Sequence, residues 1–169
     1  MEYTKPFNIP KELVYNAFKA VYAKGGCAGV DEQSLKDYNS NLQNNLYKLW
    51  NRLSSGSYFP PPVKRVAIPK KTGGDRLLGI PTVDDRIAQM VIKMMVEPII
   101  EPIFDQDSYG YRPHKSAHDA LMVTRKRCWW YSWVIEFDII GLFDNIDHSL
   151  LMKAVKRHTN QKWILLYIE

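Results

Sequence analysis

The sequence has few cysteines, no long apolar run and no leader-like N-terminus. Its two cysteines, Cys27 and Cys128, have no partner at metal-binding or redox spacing, which favours a reducing, cytoplasmic setting. The longest clean apolar run, "WILLYI", is far shorter than the roughly 18 residues that a membrane span needs. The opening "MEYTKPFNIPKE" lacks the basic-then-apolar order of a signal peptide. These absences predict a soluble intracellular protein without a membrane partner.

Acidic residues are scarce in three segments of the chain. Residues 64–76, 112–127 and 153–162 each carry a net charge of +4, whereas the whole chain carries +5, so the remainder is −7. Basic segments on an acidic background are typical of a face that binds a polyanion such as nucleic acid. Ordinary solvated surface is the alternative that charge alone leaves open.

The hydrophobic pattern predicts an α+β fold. A hydrophobic content of 46% over 169 residues supports a packed core, in one domain or two small lobes. Helical spacing predicts a helix between Pro10 and Gly25 and a second one over 35–53. The segment 58–81 reads as a β-hairpin with its tip near Thr72 to Asp75, and helices follow from Thr82, Ser116 and Asp147 or Ser149. Helices and a hairpin without regular βαβ alternation indicate α+β.

The stretch "WVIEFD", 133–138, predicts a buried strand that carries a carboxylate at its end. Alternate side chains share a face, so one face holds Trp133, Ile135 and Phe137, and the other leads to Asp138. A carboxylate there can bind Mg²⁺. The alternative for Asp138 is that it only ends the strand. For the later Asp144 and Asp147 we expect turn and helix-cap roles.

Four motifs resemble those of group II intron reverse transcriptases and maturases, in that family's order. They cover nearly the whole chain, and the last resembles the family's first catalytic-aspartate motif. The four are "GGCAGVDEQSL", "VKRVAIPKKTGGDRLLGIPTVDDRIAQ", "DSYGYRPHKSAHDAL" and "FDIIGLFDNIDH".

The resemblance implies part of a right-hand polymerase. Residues 1–57 would be its helical N-terminal extension, 58–132 its fingers, and 133–169 the first part of its palm. By resemblance, Asp138 and the backbone carbonyl of Ile139 are ligands of the two catalytic Mg²⁺ ions.

Further roles follow from the same resemblance. Phe143 matches the aromatic residue that lies under the sugar, and Lys70 and Arg76 match residues that clamp the incoming nucleoside triphosphate. Two cations on a mobile hairpin suit that role physically, although a solvated hairpin tip is the alternative. Tyr109 and Tyr111 could stack on bases or pack in the core, and we expect packing. Contacts to the template or primer are expected at Lys64, Arg65, Ile80, Pro81 and Arg112.

The sequence departs from the family at some positions. Ile140 and Leu142 replace the family's frequent Lys and Phe beneath the nucleotide. The second palm motif, an aromatic-x-Asp-Asp hairpin, is absent, because Asp84-Asp85 opens a helix instead. We therefore expect a truncated piece or a degenerate reading frame that does not polymerise alone, and an unpaired strand edge that promotes self-association.

The leading hypothesis is the N-terminal part of an RNA-directed DNA polymerase. Its expected partners are an RNA template–primer duplex, intron RNA and a deoxynucleoside triphosphate. A non-catalytic RNA-binding maturase or scaffold module is the alternative from another class. A related reverse transcriptase of phage defence, diversity generation or a CRISPR locus is a third hypothesis.

Overall fold

The computed structural model describes residues 5–71 and 73–169, so that Thr72, predicted near the hairpin tip, lies outside the described residues. Within them the chain forms helices and one two-stranded antiparallel sheet, which confirms the α+β class. The elements are α1 (Lys11–Lys24), α2 (Leu35–Ser40), α3 (Leu42–Ser55), β1 (Lys64–Pro69), β2 (Asp75–Ile80), α4 (Val83–Ile100), a 3-10 turn (Glu101–Ile103), α5 (Ala117–Cys128), α6 (Leu142–Asn145), α7 (His148–His158) and α8 (Lys162–Ile168).

The chain divides into two units. The first unit comprises the described residues up to Met95 together with Gln161–Glu169, and the second comprises Val96–Asn160. Every buried apolar side chain among the described residues belongs to the first unit. In the second unit the only buried residue is Thr159, which is polar. The hydrophobic core of the described chain therefore lies in the first unit.

The core of the first unit begins with α1, which packs against α3. Val14, Ala17, Phe18 and Val21 are buried at helical spacing on α1, as the sequence predicts. Gly25 ends the helix with a φ of 70°, a left-handed value that suits glycine. The first predicted helix is confirmed.

The predicted helix over 35–53 is two helices, so this prediction is wrong in one respect. Asn41, with φ −125° and ψ 41°, separates α2 from α3. The side chain of Asn44 donates to Asn41 Oδ1 at 2.9 Å, and that of Asn45 donates to the carbonyl of Tyr38 at 2.9 Å. Asparagine side chains compete with the helical backbone for hydrogen bonds, which explains the break. Helix α3 ends at Ser55, two residues beyond the predicted range, and Gly56 follows with a left-handed φ of 76°.

The last helix, α8, belongs to the same unit as α1 and α3. Its Trp163 and Ile164 are buried, and the hydroxyl of Tyr167 donates to the carbonyl of Leu53 at 2.7 Å. Tyr58 lies edge-on to Tyr167, with ring centroids 6.2 Å apart. The C-terminal segment therefore completes a core whose other buried apolar residues lie between Ile9 and Val91.

The second unit is organised by polar helix caps. Ser116 and Asp119 form a reciprocal capping box at the start of α5, the helix that the sequence predicts from Ser116. Asp147 caps α7 by accepting from Ser149 N at 2.8 Å and Leu150 N at 3.1 Å. The predicted helix-cap role of Asp147 is thereby confirmed, and Asp144 lies in the first turn of α6.

The predicted buried strand over 133–138 is not formed. Trp133, Ile135 and Phe137, which we expected to face a core, are 89%, 75% and 88% exposed. A strand needs a hydrogen-bonded neighbour, and among the described residues β1 and β2 pair only with each other. The local sequence favours extended backbone, but the described chain supplies neither a neighbour nor a cover.

None of the described helices has the length and apolar character to cross a membrane.

Candidate nucleotide and nucleic-acid site

The hairpin of β1 and β2 carries most of the predicted binding residues. Lys64 pairs with Ile80 and Ile68 with Arg76 in an antiparallel register. Directly opposed residues of an antiparallel pair point to the same face, and alternate residues along a strand share a face. Lys64, Arg76 and Ile80 therefore lie on one face of the hairpin, which we call the Arg76 face.

Arg65 lies on the opposite face of the hairpin. It pairs with Gly79, next to the Ala67–Leu77 pair on the same side. Both faces are largely exposed, as the burial of the two strands shows. The structure thus places Lys64 and Arg65, both expected to contact the template or primer, on opposite faces of the hairpin.

Lys70 stands at the turn, directly after β1. Its backbone N–H donates to the carbonyl of Gly74 at 2.9 Å, and Gly73 N donates to the carbonyl of Lys70 at 3.2 Å. Gly73 and Gly74 have φ values of 92° and 77°, which glycine adopts without steric cost. Among residues 5–71 and 73–169, no side-chain hydrogen bond or ion pair engages Lys70 or Arg76. The ammonium and guanidinium groups are thus available to an anionic ligand.

Pro81, at the base of the hairpin, adjoins the loop of the first motif. A Cβ added to Gly29 would lie 2.8 Å from Thr82 Cα and 3.0 Å from the carbonyl carbon of Pro81. Only a residue without a side chain allows this approach. The structure therefore brings together two motifs that are about 50 residues apart in sequence.

Arg86 fixes the same loop, a role that the sequence analysis did not predict. Its guanidinium donates to the carbonyl of Gly25 at 3.2 Å and to that of Cys27 at 3.0 Å. A Cβ on Gly26 would lie 2.5 Å from Arg86 Nη1. The two consecutive glycines of "GGC" are the feature of the sequence that could have indicated such a close approach.

Asp84 and Asp85 belong to the first turn of α4, as predicted, and are held by tyrosines. The Tyr38 hydroxyl donates to Asp84 Oδ1 at 2.7 Å, and the Tyr58 hydroxyl donates to Asp85 Oδ1 at 3.2 Å. Gln89 donates to Asp85 Oδ2 at 2.9 Å. These hydrogen bonds and the partial positive charge of the helix N-terminus stabilise both carboxylates, which gives Asp84 and Asp85 a structural role.

Burial changes the acidity of this cluster. It raises the pKa of the Asp84 carboxyl, although the bond from Tyr38 acts in the opposite direction. Burial, followed by the charge of the neighbouring aspartate, raises the pKa of both Tyr38 and Tyr58. The tyrosines are therefore hydrogen-bond donors at neutral pH.

Asp138 lies in the unpaired segment 133–139, and Ile139 beside it is 67% exposed. Gly141, with φ 59° and ψ 42°, then turns the chain and directly precedes α6. Phe143, on α6, is 87% exposed. The three predicted residues are close in sequence, and each is open to solvent.

The described residues do not by themselves form the two-magnesium site that the resemblance implies. Within residues 5–71 and 73–169, no group of three or more His, Cys, Asp or Glu side chains could hold a metal ion. Two Mg²⁺ ions need several oxygen ligands in near-octahedral positions. Asp138 and the carbonyl of Ile139, the ligands that the resemblance implies, would supply only part of such a set.

Arg112 is engaged within its own loop. Its guanidinium donates to both oxygens of Glu101, at 2.8 and 2.9 Å through Nε, and to three backbone carbonyls. Hydrogen bonding to Glu101 raises the pKa of Arg112, and the reciprocal bond lowers the pKa of Glu101. A contact of Arg112 with the template stays a prediction.

Comparisons with known proteins identify the family of the chain. Residues 68–168 match the family described as "Reverse transcriptase (RNA-dependent DNA polymerase)". The chain therefore belongs to the reverse transcriptase family.

The relatives include group II intron-encoded proteins, which confirms the resemblance found in the sequence. Group II intron-encoded protein LtrA of Lactococcus lactis subsp. cremoris is 34% identical over 147 residues, which cover 85% of this chain and 24% of the relative. Protein YkfC of Escherichia coli K12 is 42% identical over 159 residues, or 88% of this chain and 40% of the relative. Nuclear intron maturase 2, mitochondrial, of Arabidopsis thaliana is 32% identical over 81 residues, or 48% of this chain and 11% of the relative. The chain thus spans well under half the length of these relatives.

Proposed function

We propose that this chain forms the N-terminal extension, fingers and first palm segment of an RNA-directed DNA polymerase of the group II intron type. In the whole right-hand polymerase, residues 1–57, 58–132 and 133–169 take these three roles. The observation that carries the proposal is the Arg76 face, where Lys64, Arg76 and Ile80 lie on one exposed side of a hairpin. The family match over 68–168 supports it.

The proposed substrates are an RNA template–primer duplex and a deoxynucleoside triphosphate. Lys70 and Arg76 bind the triphosphate through charge-assisted hydrogen bonds from a hairpin that can move over it. Lys64 and Arg65 bind the nucleic-acid backbone from opposite faces of the same hairpin. Ile80 and Pro81 contact the templating base, beside the loop that Arg86 holds.

The proposed chemical step belongs to the palm. Asp138 and the carbonyl of Ile139 contribute to a magnesium site that needs carboxylates beyond those of the described residues. Phe143 contacts the sugar of the incoming nucleotide. We expect no templated primer extension from the chain alone, and detectable extension would contradict this proposal.

The role of Asp138 can be tested in a hybrid polymerase. The chain is joined to the part of LtrA that follows the matched region, and primer extension is compared between the parent hybrid and Asp138→Ala. We expect activity to fall to background with Asp138→Ala. The control is Asp144→Ala, an exposed carboxylate six residues away, which should retain activity. Equal activity of the parent hybrid and Asp138→Ala would remove Asp138 from the mechanism.

RNA binding can be tested on the chain itself. Phosphate contacts release counterions, so the affinity for RNA should fall steeply as salt is added. Lys64→Ala and Arg65→Ala should each weaken binding and each reduce the salt slope by roughly 1. A flat salt response would contradict the proposed basic binding face.

A non-catalytic RNA-binding maturase or scaffold module is the second candidate. It is favoured by the absence, among the described residues, of a cluster of three or more His, Cys, Asp or Glu side chains that could hold a metal ion. RNA affinity without activity in a soluble, folded hybrid would support this candidate against the polymerase.

We also propose that the isolated chain self-associates through residues 133–140. This segment has a strand-like sequence, lacks a strand partner among the described residues and exposes apolar side chains. Concentration-dependent size-exclusion chromatography tests it, and a monomer at all concentrations would contradict it.

A further inference from the structure

The loop between the 3-10 turn and α5 is cross-linked around Arg112. The Arg112 side chain is 9% exposed, and it donates to the carbonyls of Asp105 at 3.0 Å and Ser108 at 3.3 Å as well as to Glu101. The planar guanidinium presents its donors in a fixed geometry, so one side chain fixes both the start and the middle of the loop.

Three further contacts fix the rest of this loop. Lys115 donates to the carbonyl of Gln106 and lies 4.9 Å from the ring centroid of Tyr109. Asp107 forms an ion pair with Arg127 of α5 at 2.7 Å. The capping box of Ser116 then leads directly into α5. The loop is therefore held by several side chains along its length.

Tyr111, at the tip of this loop, has an unfavourable backbone and no packing. Its φ is 56°, a left-handed value that is uncommon for residues other than glycine, asparagine and aspartate. Its side chain is fully exposed, at 104% of the reference area, so our expectation that Tyr111 packs is wrong for the described chain. Tyr109, by contrast, is only half-exposed and lies under Lys115.

Strained backbone that no local packing compensates is often found at functional sites. Here the contacts of Arg112 hold the residue next to Tyr111, and the aromatic ring projects into solvent with both faces free of described neighbours. The segment that directly follows Tyr111, 112–127, carries a net charge of +4, and the segment before it, 101–111, carries −3. A solvent-facing aromatic ring on a backbone that its neighbour holds in place, directly before a basic segment, is suited to stacking on a nucleic-acid base.

We propose that Tyr111 is a stacking residue for an unpaired base of single-stranded RNA. Bases inside a duplex already stack on each other, whereas bases in single strands can be splayed onto an aromatic side chain. The proposal rests on the proposed function in one respect, because it requires that the chain binds RNA. It adds the residue and the kind of RNA that this loop recognises.

The test compares three probes with the full chain and its Tyr111 variants. The probes are a fluorescently labelled single-stranded RNA, the same RNA as a blunt duplex, and an abasic oligonucleotide of equal length and charge. Tyr111→Ala should weaken binding of the single-stranded RNA by about tenfold, because stacking on one aromatic side chain contributes about that much. Binding of the duplex and the abasic strand should change less than about twofold.

Conservative variants separate stacking from a structural role. Tyr111→Phe and Tyr111→Trp keep an aromatic face and should retain the affinity for single-stranded RNA. Tyr111→Gly accepts the positive φ without strain, so it should raise the melting temperature while it lowers the affinity. Tyr15→Ala, which removes an exposed tyrosine of α1, is the matched control and should leave binding unchanged.

The outcomes distinguish this inference from the proposed function. If the unaltered chain does not bind RNA, both are contradicted. If it binds RNA but Tyr111→Ala binds single-stranded RNA equally well, only stacking by Tyr111 is overturned. A loss of the same size on the abasic strand, or a loss with Tyr111→Phe, would also overturn it.

Discussion

Gly29 shows how one residue without a side chain determines where two motifs meet. A Cβ there would lie 2.8 Å from both Cα and N of Thr82. These are backbone atoms, which cannot rotate away as the end of a flexible side chain can. Gly29→Ala is therefore expected to lower the free energy of unfolding by about 2 kcal/mol, in the range of other overpacking substitutions. Urea unfolding followed by circular dichroism measures the change.

Gly110 provides the matched control for that substitution. A Cβ on Gly110 would meet no atom within 4 Å, and its φ is not in the left-handed region. Gly110→Ala should therefore leave stability unchanged or raise it slightly, because alanine restricts the unfolded chain. Equal losses from Gly29→Ala and Gly110→Ala would contradict the close approach of the two motifs.

Asp84 makes the stability of the first unit dependent on pH. Burial raises the pKa of its carboxyl, so the folded state binds the proton more tightly than the unfolded state does. The contribution of this group to stability is therefore complete below its unfolded pKa and is lost as the pH rises through its folded pKa.

Asp84→Asn should remove this dependence. Asparagine keeps an oxygen that accepts from the Tyr38 hydroxyl but carries no charge to bury. The variant should be more stable than the unaltered chain near pH 7, by on the order of 1 kcal/mol, and equally stable near pH 3. Urea unfolding at both pH values measures the difference in the free energy of unfolding between the variant and the unaltered chain. The same difference at both pH values would contradict the burial of a charged carboxylate.

At the scale of elements, the segment 133–139 shows that a strand-like sequence forms no strand without a neighbouring strand to pair with. Its residues have high β propensity and alternate as a strand should, but every one of them is exposed. The hairpin of β1 and β2 forms because a turn with two positive-φ glycines brings its strands together locally. No comparable local partner exists for 133–139 among the described residues.

Charged substitutions in this segment should suppress self-association. Ile135→Lys and Phe137→Lys replace side chains that are 75% and 88% exposed, so they should not change the melting temperature. Each places a positive charge on the proposed edge, which disfavours strand pairing between copies. Sedimentation velocity over a range of concentrations should show a shift towards monomer.

The control for this prediction is an apolar residue exposed elsewhere. Leu121 of α5 is 65% exposed, and Leu121→Lys should leave self-association as it is in the unaltered chain. Loss of association with Leu121→Lys, or its persistence with both substitutions in the segment, would show that residues 133–140 are not the interface.

For the whole molecule, local sequence patterns predicted local structure well. Three local features depend on residues that are close in sequence. They are the end of α1 at Gly25, the capping box at Ser116 and the hairpin of β1 and β2. The grouping of Lys64, Arg76 and Ile80 on one face is also local, because the register of a hairpin is set by its turn.

Features that depend on distant contacts could not be predicted. The hydrogen bonds from Arg86 to the carbonyls of Gly25 and Cys27 join residues about 60 positions apart. The hydrophobic periodicity of the sequence does not indicate them. The burial of Trp163 and Ile164 against the N-terminal core is equally invisible in a short window. The role of Asp138 also depends on distant residues, because a metal site needs ligands from several segments and one motif cannot define it.

The two units should therefore differ in their resistance to hydrogen exchange. All the buried apolar side chains of the described chain belong to the first unit, and α5 and α7 of the second unit contain no buried residue. Helices without buried contacts open at little cost in free energy, because packing rather than intrinsic propensity stabilises most protein helices. We expect amides of α1 to exchange at least about tenfold more slowly than those of α5, although the two helices have 14 and 12 residues.

Hydrogen–deuterium exchange with mass spectrometry, at a concentration where the protein is monomeric, measures this ratio. Equal protection of α1 and α5 would mean that α5 is stabilised by more than its own backbone bonds and its cap, and that the core of the first unit does not set the stability of the chain.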